Sequence, residues 1–108
     1  MKLYVGGICQ GQAELARQEN PNAYIICDFQ EEIRKAIESG KDAREFASEI
    51  AASHPDAVVV ANEVGSGVVP IEAGERAFRE AVGRALCVIA QKSETVTRAV
   101  CGIGVRIK

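Results

Sequence analysis

Tryptophan is missing from this chain, histidine occurs once, at position 54, and aromatic residues are only 5% of its 108 residues. Nucleic-acid binding draws on a one-sided basic surface and aromatic stacking groups. Thirteen Lys and Arg against fifteen Asp and Glu leave a net charge of −2 without a basic cluster, so DNA and RNA are not expected partners. No apolar run nears the roughly 20 residues of a membrane-spanning helix. The amino terminus reaches Gly6 too soon for a signal sequence. A cytoplasmic protein without a membrane partner is expected. Cys9, Cys27, Cys87 and Cys101 form no Cys-x-x-Cys pair. With a single histidine, a structural zinc site is not expected either, and in a reducing compartment these thiols read as small apolar groups.

What the chain does have is an ordinary globular balance, 47% hydrophobic and 26% charged, at a length suited to one domain spanning 1–108. Strand and helix signals alternate without repeats, low-complexity sequence or a linker. Strands are expected at 2–5, 23–27, 57–61 and 95–101, and helices at 12–19, 31–39, 42–53 and 72–91. In the third helix Ala43, Phe46, Ala47, Ile50 and Ala51 follow the i, i+3, i+4, i+7, i+8 stripe, with Asp42 as its cap and Glu45 as capping-box partner. In the fourth, Ala77, Phe78, Ala81, Val82, Ala85, Leu86 and Ile89 form the expected buried face. The tail 105–108 is expected to return as an antiparallel edge strand whose charges blunt the edge. The implied architecture is a three-layer α/β fold of P-loop-NTPase type. Its sheet is mostly parallel, with about four strands and that carboxyl-terminal edge.

Strands of this kind place the loops that follow them on one edge of the sheet, where ligands of open α/β folds bind. Asn62-Glu63-Val64-Gly65-Ser66-Gly67-Val68-Val69-Pro70 follows the apolar run 57–61. Gly6-Gly7-Ile8-Cys9-Gln10-Gly11 follows the first strand with the Gly-x-x-x-x-Gly spacing of a phosphate-binding loop, and Gly102-Ile103-Gly104 follows the last. Successive backbone N–H groups and a helix amino terminus cradle a phosphate in such a loop. A working P-loop continues with Lys, which reaches the β and γ phosphates, and then Ser or Thr, which holds Mg²⁺. Here the next residues are Gln12 and Ala13. Gln donates hydrogen bonds without charge and Ala offers no oxygen, so anion binding is expected to outlast phosphoryl transfer. A tight turn serving only the fold is the competing interpretation.

Beyond the loop, the sequence resembles the adenosylcobinamide kinase/adenosylcobinamide-phosphate guanylyltransferase family of cobalamin biosynthesis. The resemblance rests on the paired glycines Gly6-Gly7, the segment Asn62 to Pro70, Arg76, Phe78, Arg79 and Gly83-Arg84, and the tail Gly102-Ile103-Gly104-Val105-Arg106-Ile107-Lys108. It is close from about residue 57 to the end and partial over 1–27. It implies GTP or ATP as nucleotide and a corrinoid phosphate as small-molecule partner; a homo-oligomer is expected because a short sheet exposes apolar edges and faces that a second copy covers. It also marks a departure, since family members are longer between the second strand and the strand before Asn62. In the family that stretch carries the histidine that takes up the guanylyl group. With that segment and the P-loop Lys absent, the expectation is a shortened relative that keeps a phosphate pocket and is catalytically impaired. The alternatives are an active transferase whose missing charge comes from elsewhere, and an oligomerisation module that binds no nucleotide.

The expected pocket comprises Gly6, Gly7, Ile8, Cys9, Gln10, Gly11, Gln12, Ala13, Asn62, Glu63, Gly65 and Gly67. Glu63 is the candidate Mg²⁺ ligand, with loop bracing as its other role, and without a hydroxyl at position 13 the metal would lack a ligand. Asn62 can bridge loop backbones or meet a ligand. His54, just before Pro55 at the amino-terminal end of a strand, reads as a turn residue on the wrong edge of the sheet. Cys9 reads as a bystander thiol, and Arg76, Arg79 and Arg84 as an ion-pair face.

Overall fold

The computed structural model describes residues 1–63 and 73–108. Its elements are β1 (Lys2–Gly6), α1 (Gln12–Glu19), β2 (Ile25–Ile26), α2 (Phe29–Glu38), α3 (Ala43–Ser53), β3 (Val58–Asn62), α4 (Ala73–Lys92), β4 (Thr95–Val100) and β5 (Ile103–Arg106). The strands form one sheet in the order β2-β3-β1-β4-β5, parallel throughout except for the antiparallel β4–β5 pair. The α/β fold expected from the sequence, with its mostly parallel sheet and antiparallel edge, is the fold observed.

Side chains of the central strands alternate between two apolar layers, as the two-residue period of a strand requires. Leu3, Val5, Val59, Ala61 and Val96 join Phe29, Ile33, Ala47, Val82 and Ile89 in the larger core under α2, α3 and α4. Tyr4, Val58 and Val60 face the other way and pack with Ala16 of α1. Both faces of β1 and β3 are thus covered, which is why these strands read as near-continuous hydrophobic runs. Phe29 is fully buried and stacks on Phe46, ring centroids 5.8 Å apart, a burial that contributes about 2–3 kcal/mol.

Local chemistry ends α1 and starts α3 where the sequence indicated. Asp42 caps α3, its carboxylate accepting from the Glu45 N–H at 3.1 Å. Asn20 closes α1 and ties it to β1: its Nδ2 donates to the Ala16 carbonyl and to the Tyr4 hydroxyl, both at 3.0 Å, while its Oδ1 accepts from Lys2 Nζ. Several expectations needed adjustment: α2 starts at Phe29 rather than 31, and the antiparallel edge strand is Ile103–Arg106 rather than 105–108. The second strand shrinks to Ile25–Ile26 because only β3 lies beside it. Ala77 is exposed rather than buried, since it borders the cleft where the first turn of α4 passes the start of α3 at Asp42, Ala43 and Arg44.

Tyr4 donates to Glu19 Oε1 at 2.6 Å from a nearly buried position. Burial, and then the Glu19 hydrogen bond, raise its pKa above the usual 10.0. The fold therefore favours the neutral phenol. That stabilisation is fully present below about pH 10 and is lost as pH rises through the higher folded value. Tyr4→Phe is expected to cost about 1 kcal/mol at neutral pH. It should also remove this part of the alkaline loss, measured as the difference between wild-type and variant urea-unfolding free energies from pH 7 to 11.

Candidate functional site

The strand register brings the carboxyl ends of β1, β3 and β4 together. Gly6 lies beside Asn62 of β3 on one side and Ala99 of β4 on the other. The Gly6 carbonyl accepts from the Glu63 N–H at 2.8 Å, so the chain leaving β3 is tied to the end of β1. A Cβ on Gly6 would stand 2.9 Å from the Ala99 carbonyl oxygen and 3.1 Å from Gln12 Oε1. Only glycine fits there.

From Gly7 the chain turns through Cys9 and Gly11, both left-handed with φ of 60° and 85°, into α1. Gly11 is the amino-terminal cap of that helix and supplies no capping side chain. Among the described residues, no backbone or side-chain group accepts from the N–H groups of Ile8 to Glu14. A loop of unclaimed donors running into a helix amino terminus has the chemistry of an anion cradle.

Gln12, the residue in the P-loop Lys position, does not reach outward. It is 5% exposed, and its Nε2 faces the carbonyl oxygens of Gly6 at 3.3 Å, Gly7 at 3.1 Å and Ala61 at 3.5 Å, and Asn62 Oδ1 at 2.7 Å. Its amide is a strut beneath the loop that joins the ends of β1 and β3. Gln10 is likewise committed to the protein. Its Oε1 accepts from the Cys101 N–H at 2.7 Å and its carbonyl accepts from the Gly102 N–H at 2.9 Å. Cys101 and Gly102, with φ of 50° and 78°, make the two-residue β4–β5 turn, which favours positive φ at both positions. The third glycine segment thus clasps the first loop from the side. A Cβ on Gly104 would stand 2.7 Å from Leu15 Cδ2, so that glycine lets β5 pack on α1.

Gln30 belongs to the same edge and was not singled out from the sequence. Buried in the first turn of α2, it accepts the Asn62 N–H on Oε1 at 2.9 Å and donates from Nε2 to Asp28 Oδ1 at 3.5 Å. Its signal in the sequence was position alone, just past the end of the second strand. Glu63 lies 3.8 Å from Arg98 Nη2, both side chains partly exposed. Ala13 has no side-chain oxygen to give a Mg²⁺ ion, and no three ligating side chains converge among the described residues.

Two clefts flank the loop. One, of about 570 Å³, lies on the α1 side and is bordered by Cys9, Gly11, Gln12, Ala13 and Arg17. The other, of about 450 Å³, lies toward α2 and α4 and is bordered by Gly7, Arg34, Glu63, Phe78 and Arg79. Arg34 stacks on Phe78 with its guanidinium carbon 3.9 Å from the ring centroid. Ile8 and Asn62 border both clefts. All the expected pocket residues from Gly6 to Ala13, with Asn62 and Glu63, meet at this edge, while Gly65 and Gly67 lie outside the described residues. His54 caps the carboxyl end of α3 just ahead of β3, its ring centroid 5.2 Å from that of Tyr24. It stands at the opposite edge of the sheet, as the sequence indicated. The Arg84–Glu80 pair on α4 is exposed, in keeping with a solvated ion-pair face.

The family model for cobinamide kinase / cobinamide phosphate guanyltransferase matches residues 9–107. No curated protein matches the chain.

Proposed function

Because the chain belongs to the cobinamide kinase / cobinamide phosphate guanyltransferase family, we propose that it binds the phosphates of GTP or ATP, or of a corrinoid phosphate, on the loop from Gly6 to Ala13 beside Asn62 and Glu63, and that its transfer chemistry is impaired. Family membership supports a cobinamide kinase/guanylyltransferase-like role in cobalamin biosynthesis. The observation that carries the phosphate reading is the run of unclaimed N–H donors from Ile8 to Glu14 at the uncapped start of α1. Impairment is argued from chemistry. Position 12 brings a neutral amide turned inward and position 13 a methyl group, so neither the charge nor the Mg²⁺ oxygen of a working P-loop comes from its usual place. Gly65 and Gly67 are proposed as part of the same pocket on the strength of the family motif.

A second reading, an active transferase, is favoured by the arginines bordering both clefts, Arg17 on one side and Arg34 and Arg79 on the other. Cationic side chains there could meet the charge that Lys would have met.

The proposal extends to a cytoplasmic, self-associating protein. No helix among the described residues is long and apolar enough to cross a membrane. The edge strand β5 and the chain after it expose Ile103, Val105 and Ile107, an edge that a second copy could cover.

Calorimetric titration with GTP and ATP, with and without Mg²⁺, tests the central claim. Binding of either nucleotide that does not depend on Mg²⁺ is the expected result. Absence of binding to both would defeat the nucleotide reading and leave a corrinoid phosphate or a scaffold role. Incubation with adenosylcobinamide and labelled ATP or GTP separates the two readings, because only the second yields transferred label.

A further inference from the structure

The amides at the crest leave one donor group without a partner among the described residues. Backbone carbonyls accept and never donate. The three that surround the end of Gln12, from Gly6, Gly7 and Ala61 at 3.1 to 3.5 Å, therefore require its nitrogen to face them. That nitrogen also faces the Asn62 side chain at 2.7 Å, so the atom Asn62 presents to it is the carbonyl Oδ1. The backbone of Asn62 is held independently: its N–H donates to Gln30 Oε1 at 2.9 Å, an orientation fixed because a backbone N–H can only donate. With Oδ1 and N–H both engaged, the remaining donor of Asn62 is Nδ2, which has no acceptor among the described residues. Asn62 is half-buried and borders both clefts beside the glycine loop.

From this we infer that Asn62 Nδ2 is a ligand-contact donor. Its orientation is set by Gln12 acting as a positioning residue, and it selects an oxygen acceptor of a phosphoryl group held on the glycine loop. The inference rests on the phosphate-binding reading above. The Gln12 and Asn62 amides form a relay in which carbonyl acceptors below the loop dictate a donor above it. An amide NH₂ offers two donors and no acceptor, so it favours a deprotonated phosphoryl oxygen and disfavours a donor group at the same point. The Gln12 side chain thus contributes without touching the ligand.

Nuclear magnetic resonance of ¹⁵N-labelled protein tests this, with GTP, ATP and inorganic phosphate as probes. The Asn62 side-chain pair is assigned by its loss in Asn62→Asp. In the free protein the Gln12 amide protons should be protected from exchange with water and the Asn62 Nδ2 protons open to it. On adding a bound probe, the Asn62 pair should shift and its exchange slow. Asn62→Asp should weaken binding roughly ten- to hundredfold, the loss of a hydrogen bond to a charged group. Asn62→Ser keeps a small polar residue, in case the Asp variant folds poorly, and should weaken it about tenfold. Gln12→Met should weaken it by about a factor of several although the Gln12 side chain makes no ligand contact, because the Asn62 amide is then free to turn. Protected Asn62 Nδ2 protons in the free protein would show the amide reversed and overturn the inference. So would probe affinity unchanged in Asn62→Asp and Asn62→Ser. If the wild type binds none of the three probes, the phosphate reading fails and the inference falls with it. If it binds and Asn62 is indifferent, the inference alone fails.

Discussion

Gln12→Lys is expected to tighten binding of GTP and ATP by roughly tenfold to a hundredfold, the largest gain in affinity any single substitution should give. The environment of the Gln12 Nε2 consists of acceptors only, three backbone carbonyls and Asn62 Oδ1. An ammonium suits such a place because it has three donors where the amide has two. The lysine chain carries its nitrogen one bond farther than glutamine does, toward the unclaimed N–H groups of the loop above. A unit charge about 4 Å from a phosphate oxygen gains about 4 kcal/mol at an effective dielectric of 20. Desolvation of the ammonium removes part of that gain, and the remainder corresponds to the stated tightening. Adding Ala13→Thr restores a hydroxyl where a working P-loop holds Mg²⁺. Only the double variant should then bind more tightly with Mg²⁺ than without it. Titration calorimetry on the wild type and the two variants checks both statements. Affinity unmoved by Gln12→Lys would place the phosphates somewhere other than this loop.

Gly6→Ala is expected to be the most damaging change of a single methyl. Its Cβ would stand 2.9 Å from the Ala99 carbonyl oxygen, part of the neighbouring strand, and 3.1 Å from Gln12 Oε1. A flexible side chain could yield, but the carbonyl is fixed by the β1–β4 ladder. Overpacking of this kind costs about 2–3 kcal/mol, which in a domain of this length lowers the melting temperature by roughly 10–20 °C. The same methyl presses on Gln12, so whatever nucleotide binding the wild type has should fall as well. Thermal unfolding followed by circular dichroism, with titration well below the melting temperature, measures both. A variant that melts within a degree or two of the wild type would mean that the crest is looser than its contacts imply. Gly40→Ala makes a useful contrast. Nothing lies within 4 Å of the added Cβ, and only its positive φ of 90° opposes the change, a cost nearer 1 kcal/mol.

Much of the fold was legible because local signals agreed with one another. The runs Leu3 to Val5 and Val58 to Ala61 are apolar on both faces, which suits a buried parallel strand and little else. The α3 stripe and its Asp42 cap, and the Asn20-Pro21 stop of α1, are statements about neighbours three or four residues apart, and the sequence carries those directly. Ala77 shows where that reasoning ends. Its spacing matches the buried face of α4, yet its exposure depends on how far α3 extends beside it.

The candidate site divides along the same line. By itself the sequence determined that glycine loops would stand at the carboxyl ends of β1, β3 and β4, that the first has phosphate-loop spacing, and that it lacks Lys and Ser or Thr at positions 12 and 13. Each of these follows from residue type and order along the chain. Only the tertiary structure decided what those residues do. It turned Gln12 under the loop, gave Gln10 to the β4–β5 turn, brought Gln30 from α2 onto Asn62, and set Asn62 beside both clefts with its Oδ1 engaged by Gln12. The physical reason is that a side-chain amide points where its acceptors are. The acceptors of Gln12 include atoms as far as 50 residues away in sequence, at distances that only the packing of β1 against β3 sets.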